Sequence, residues 1–179
     1  VASVVAVLAW LGLQMLVVQV FTVTAASMQP GLTAGQHVVV LRPTVDRPVR
    51  PGDVVVADVR GTFVPGQRVS GPLAGTVLSP GPEDVYVVKR VIAGPGDRIA
   101  CCDPAGRLVL NGRPLDEPYL PAGQAASQDE FDVLVPADRW WLMGDNREVS
   151  EDSRAHLGSP GGGTVPSEAV LGRVVGVWG

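Results

Sequence analysis

The stretch Asp84–Gly94, "DVYVVKRVIAG", decides how the rest of the chain is read. Tyr86, Val87, Val88, Val91 and Ile92 form a β-branched and aromatic run bounded by Asp84 and Gly94, the signature of a strand. In its middle stands Lys89, the one lysine among 14 basic residues; the other 13 are arginine. Arginine and lysine differ sharply where an amine must lose its proton or fit tightly. Among valines a charged amine is costly. Two readings of Lys89 stay open on this segment: burial drives off its proton and leaves a neutral base, or strand alternation turns it outward, or toward a carboxylate, with Arg90 inward.

The same grammar extends outward. "QHVVVLR", "GDVVVADV", "RLVLNG", "FDVLVP", "RWWLMG" and "VLGRVVGVW" are short apolar runs separated by Gly, Pro, Asn and Asp clusters. With 22 Gly, 16 Pro and no helical period after Leu32, the pattern predicts an all-β domain built as an antiparallel sheet. Two segments interrupt it: a Gly/Pro-rich stretch over 60–84, too long for a hairpin, and a flexible turn at "SPGGGT", Ser159–Thr164.

Toward the N-terminus the character changes. No Asp, Glu, Lys or Arg occurs from Val1 to Leu41, and Val1–Val23 is apolar apart from Ser3, Gln14, Gln19 and Thr22. About 20 such residues suffice for a helix to cross the hydrocarbon core, so residues 1–23 are expected to be a transmembrane anchor and 24–179 the domain beyond it. The first basic residue, Arg42, comes about 19 residues after that span, which places the domain on the extracytoplasmic face under the positive-inside rule. A net charge of −4 and a pI near 5.1 exclude counterion-release binding to nucleic acid.

The candidates for chemistry are few. Cys101 and Cys102 are adjacent, which is neither a metal-ligand spacing nor a disulfide framework. A serine nucleophile needs a base. The two histidines, His37 and His156, have no G-X-S-X-G elbow to serve, whereas a desolvated Lys89 would supply an amine. "MGDNREVSEDSR", Met143–Arg154, packs four carboxylates, two arginines, Asn146 and two serines into 12 residues. It reads either as a polar loop of self-satisfying ion pairs or as the support of a preorganised site.

Three segments in order, "SMQPGL" at Ser27–Leu32, "VVKRVIAGPGD" at Val87–Asp97 and "GDNREVSEDSR" at Gly144–Arg154, resemble the boxes of type I signal peptidases, the membrane-anchored Ser/Lys proteases that remove signal peptides from exported proteins. "RPGDVVVADV", "NGRPLDEPYL" and "VPSEAVLGRVVGV" look like further segments of that family, and "ACCD" is similar to its actinobacterial members. The resemblance implies a membrane-bound serine endopeptidase of the signal peptidase fold, with a small β subdomain inserted at about 95–138, cleaving after small-X-small sites such as Ala-X-Ala. It makes Ser27 the nucleophile and Lys89 the general base. Ser150 orients the lysine, while Asp152 with Arg154, and Asp145 and Arg147 in the same loop, give structural support. The Ser27 backbone N–H forms part of the oxyanion hole. A hydroxyl two residues earlier supplies a second donor in some members, but Ala25 stands there, so the source of that donor is unknown. The family more often has Pro-Thr where this chain has Pro30-Gly31.

Neither a metal nor a cofactor is implied. The implied partners are signal peptides of exported pre-proteins, membrane lipid and the secretion pathway, with the catalytic domain outside the cell membrane. Two other readings remain: a catalytically inactive, membrane-tethered β-domain that binds extended peptides, and a self-cleaving Ser/Lys repressor-type protease. The second needs a DNA-binding helix-turn-helix where this chain is apolar and uncharged.

Overall fold

The computed structural model describes residues 18–42, 47–64 and 86–179. Among them, eleven strands form two antiparallel sheets. The larger contains β1 (Val18–Thr22), β2 (His37–Leu41), β3 (Val54–Asp58), β4 (Tyr86–Ala93), β9 (Arg139–Met143), β10 (Val165–Pro166) and β11 (Val170–Trp178). Its order is β1-β2-β11-β3-β4-β9-β10. The smaller joins β5 (Arg98–Cys101), β6 (Val109–Leu110), β7 (Arg113–Pro114) and β8 (Phe131–Leu134), in the order β7-β6-β5-β8. The seven apolar runs singled out in the sequence all form strands, and the regular structure of the described residues is mostly β as expected.

Burial explains why the central strands do not alternate. In β3, Val55 and Ala57 enter one core with Val91, Leu142 and Val165, while Val56 enters another with Val23, Met28, Leu32, Val38 and Val40. Apolar groups cover both faces there, so an uninterrupted "VVVA" is what the position selects. A third core joins the two sheets: Ile92, Ala93, Trp141 and Met143 of the larger pack with Ile99, Leu108 and Phe131 of the smaller subdomain.

One expectation is corrected. Val18–Thr22 is a strand, paired residue by residue with β2 from Val18 opposite Leu41 to Thr22 opposite His37, so the membrane span cannot run to residue 23 as a helix. The sheet register satisfies those backbone groups laterally, and Gln19 is buried in the process. Residues 1–17 of the expected span, and 65–84 of the long stretch, lie outside the described residues. No helix among the described residues is long and apolar enough to cross a membrane. The adjacent cysteines differ from expectation as well: Cys101 and Cys102 are joined to each other by a disulfide.

Candidate active site

Ser27 is carried by a 3-10 turn, Ala26–Met28, between β1 and β2. Met28, 1% exposed, plugs the turn into the core of Val23, Leu32, Val38 and Val40 and leaves Ser27 half-buried at the surface. The N–H groups that open such a turn receive no partner from the turn itself. The Ser27 N–H lies in that position. Ala25 precedes the turn as an exposed residue whose methyl group can donate nothing.

Lys89 comes from β4, opposite Val55 of β3. It is 4% exposed, and its Nζ lies 2.8 Å from Ser27 Oγ. Alternation therefore turns Lys89 into the site and Arg90 to the other face. Burial pushes the Lys89 amine down from 10.5 to about 8, partly opposed by the Asp152 carboxylate. Arg154 works in the same direction as burial and against Asp152, keeping the amine low.

The loop after β9 surrounds this contact. Arg154 grips Asp152 with two hydrogen bonds of 2.9 Å and donates to the Arg147 carbonyl at 3.0 Å. Burial would raise the Asp152 pKa, but Arg154 and the Gly144 N–H hold it below the usual carboxylate range. Asp145 and Arg147, expected as structural support in the same loop, find their ion-pair partners outside it. Asp145 accepts two hydrogen bonds from Arg90, at 2.8 and 2.6 Å. Arg147 pairs with Glu117 and donates to the carbonyls of Gly144 and Ala126.

Ser150 departs from its expected role. No hydrogen bond joins its Oγ to Lys89; the buried hydroxyl stands instead beside Asp152 and helps to hold that carboxylate low. It lies over Gly144, where a Cβ would approach Ser150 Oγ to 2.2 Å and the Ser27 carbonyl oxygen to 2.4 Å. The backbone at residue 144 can pass between the two serines only because it has no side chain.

A cleft of about 380 Å³ opens on Ser27 and Lys89. One wall is Thr22–Ala25, Ser27 and Met28, another Tyr86–Lys89, and a third Val149, Glu151, His156 and Phe63. His156 stacks on Phe63 at 4.3 Å, and its Nε2 is 3.8 Å from Glu151. His37 lies against Trp178 and bonds Thr22. The hydrogen bond to Ser27 Oγ thus comes from Lys89 and not from either histidine. Among the described residues no cluster of His, Cys, Asp or Glu could hold a metal ion. A serine hydroxyl with a buried amine beside it, at a cleft of mixed polarity, is an arrangement able to support acyl transfer.

The family model described as "Signal peptidase, peptidase S26" matches residues 1–178. The chain belongs to that family. Signal peptidase I of Mycobacterium tuberculosis (strain H37Rv) is 34% identical over 204 residues, covering 97% of this chain and 69% of that protein. Signal peptidase I S of Bacillus subtilis is 44% identical over a shorter 85 residues, 42% of this chain and 45% of its own. A solved signal peptidase I from Enterococcus faecalis V583 gives a TM-score of 0.48 at 22% identity, covering 72% of this chain and 98% of that chain. As a member of the S26 family the chain is a serine endopeptidase, a hydrolase.

The sequence did not mark Glu117 and Gln124, which reach the loop after β9 from the segment between β7 and β8, nor Tyr119 beside them. Tyr119 donates to Glu117 and lies under the Arg90 guanidinium at 4.0 Å. The sequence signal available was "NGRPLDEPYL" as a family segment, which says nothing of the residues it would meet.

Proposed function

We propose that this peptidase removes signal peptides from exported pre-proteins after small-X-small sites by a Ser27/Lys89 dyad. The observation that carries this reading is the 2.8 Å contact between Ser27 Oγ and the buried Nζ of Lys89. In the neutral form the amine accepts the Ser27 proton as Oγ attacks the scissile carbonyl. The oxyanion faces the Ser27 N–H. Lys89 then passes the proton to the leaving amine as the peptide bond breaks, leaving an ester on Ser27. Water, deprotonated by Lys89, releases the acyl group and regenerates the hydroxyl.

The substrate fits as an extended segment between Val23–Ser27 and Val87–Lys89, two backbone stretches that both line the cleft. Walls of Val23, Met28 and Val88 favour small side chains next to the cleaved bond. The domain acts at the outer face of the cell membrane and so meets its pre-proteins on the secretion pathway. Two features support that placement: the charge-free sequence through Leu41, and the exposed apolar side chains Val20 on β1 and Val175 and Trp178 on β11, the strands that flank β2.

The test is cleavage of a pre-protein by the full chain in detergent. Ser27→Ala and Lys89→Ala are each expected to lower kcat by about 10³-fold or more. Wild-type rates in either variant would show that the dyad does not act. A covalent adduct on Ser27 from a slow acylating inhibitor separates a live enzyme from an inactive peptide-binding domain.

A further inference from the structure

The turn that carries Ser27 is only three residues long, and such a turn has little stability of its own. Two of its carbonyls are grasped by one residue of the catalytic loop. The Asn146 backbone N–H donates to the Ser27 carbonyl at 3.0 Å, and its Nδ2 donates to the Ala26 carbonyl at 3.3 Å. The side-chain contact works in one orientation of the amide only, because a flipped Asn146 would put its oxygen against the Ala26 oxygen.

That orientation is fixed from outside the loop. Gln124 Nε2 donates to Asn146 Oδ1 at 3.0 Å, and Gln124 Oε1 accepts from the Arg147 N–H at 2.8 Å. A backbone N–H can only donate, so it sets the direction of the whole series: Gln124 must present oxygen to Arg147 and nitrogen to Asn146, and Asn146 must present nitrogen to Ala26. Gln124 belongs to the segment between β7 and β8, held by its own turn to Pro121. The smaller subdomain thus reaches the nucleophile through three hydrogen bonds of defined polarity.

We propose that Gln124 and Asn146 are positioning residues: together they set the backbone of the Ser27 turn, and with it the aim of Oγ toward Lys89 and of the Ser27 N–H toward the oxyanion. This rests on the Ser27/Lys89 reading above. Neither residue touches the reacting atoms. Their effect belongs chiefly in kcat, because the walls formed by Tyr86–Lys89 and by Phe63, Val149, Glu151 and His156 stay in place.

Two substitutions at one position separate polarity from packing. Gln124→Glu keeps the acceptor for Arg147 but sets a carboxylate oxygen against Asn146 Oδ1. Asn146 then flips and releases Ala26. Gln124→Met keeps the length of the side chain and leaves Asn146 free to take either orientation. With a pre-protein and the full chain in detergent, Gln124→Glu is expected to lose about 10- to 100-fold in kcat, the scale of a misplaced reacting group. Gln124→Met should lose less, and KM should stay within about threefold in both. A purely structural role predicts the reverse order, since Glu preserves more hydrogen bonding than Met, and it predicts losses that follow the fraction folded in thermal unfolding. Either of those results, or kcat within twofold of wild type for both variants, overturns the proposal. Ser27→Ala in the same assay separates the two failures: if it is inactive while Gln124→Glu is fully active, the dyad stands and the positioning role does not. If Ser27→Ala is active, the dyad itself fails.

Discussion

Ser27 and Lys89 meet across 2.8 Å, yet they are carried by opposite kinds of structure. Lys89 stands in an eight-residue strand paired with β3 on one side and β9 on the other. The ladder fixes its backbone, and neighbours on both faces bury its stem. Ser27 stands in a three-residue turn whose position comes from elsewhere: Met28 beneath it, Asn146 beside it and Gly144 behind it. Lys89 is held by the fold as a whole, while Ser27 is placed by three contacts. Substitutions remote from the chemistry should therefore disturb the serine far more readily than the lysine.

The largest effect comes from removing the lysine's charge while keeping its bulk. Lys89→Met is expected to abolish cleavage, a loss of about 10³-fold or more, and yet to stabilise the protein at pH 7. The folded-state pKa is about 8 against 10.5 when exposed, so at pH 7 folding keeps a charged amine in a buried place, a penalty of about 3 kcal/mol. Between pH 8 and 10.5 the unfolded chain binds a proton that the folded chain does not. Wild-type stability consequently rises with pH through that window, and the advantage of Lys89→Met disappears across it. Denaturant unfolding at pH 7 and pH 10 reads both arms; a destabilised Lys89→Met at pH 7 would contradict the burial argument. In the same frame, kcat/KM of the wild type should rise about tenfold per pH unit below the amine's pKa and level off above about pH 8.

The turn is broken from behind or from beneath. Gly144→Ala puts a methyl group where the Ser27 carbonyl and Ser150 Oγ already lie, and the carbonyl is backbone that cannot step aside. The turn must move, and kcat should fall roughly 10²-fold, as for displacements near 1 Å. Full activity in Gly144→Ala would mean that the loop, and not the turn, gives way. Met28→Ala empties the plug: a cost of about 2–5 kcal/mol in unfolding free energy, with a fall in kcat larger than that of an equally destabilising change such as Ile99→Ala in the second subdomain's core. Equal rate losses in the two would show that the turn has no special dependence on its anchor.

The two members of the dyad also differed in how they could be read. Lys89 was conspicuous as a solitary lysine in an apolar strand, and Ser27 as part of a short motif; both depend on residue type, which a sequence displays. Strands with long β-branched runs were legible for the same reason. β1 was not, because "VQVFT" continues an uncharged apolar run and hydropathy alone cannot tell a strand from the end of a helix. The two-residue strands β7 and β10 carry no period at all. The pairing of the loop's charges was hidden too. Asp145 meets Arg90 from 55 residues away and Arg147 meets Glu117 from 30, contacts that only the folded sheets create. Ser150 shows the limit of carrying a role over by motif: the residue is in place beside the site, and its hydroxyl is not on the lysine.

The smallest expected effect tests what the turn lacks. Ala25 precedes the turn and lines the same cleft as Ser27, with an exposed methyl group where a hydroxyl could face the developing oxyanion. Losing one preorganised donor costs about 10²–10³ in rate where the site is built around it. Adding one to a site built without it should recover only part of that. Ala25→Ser is expected to raise kcat by about tenfold with KM unchanged, because a donor that serves only the tetrahedral intermediate leaves substrate binding alone. A rise in affinity without a rise in kcat would place the new hydroxyl on the substrate backbone and not on the oxyanion. No change in either constant would mean that the second donor is already supplied by another group of the cleft. The Gln124→Glu background sharpens the outcome: if the turn's aim sets the Ser27 N–H, the added hydroxyl should help less there than in the wild type, since two donors share one oxyanion only when the turn holds both in register.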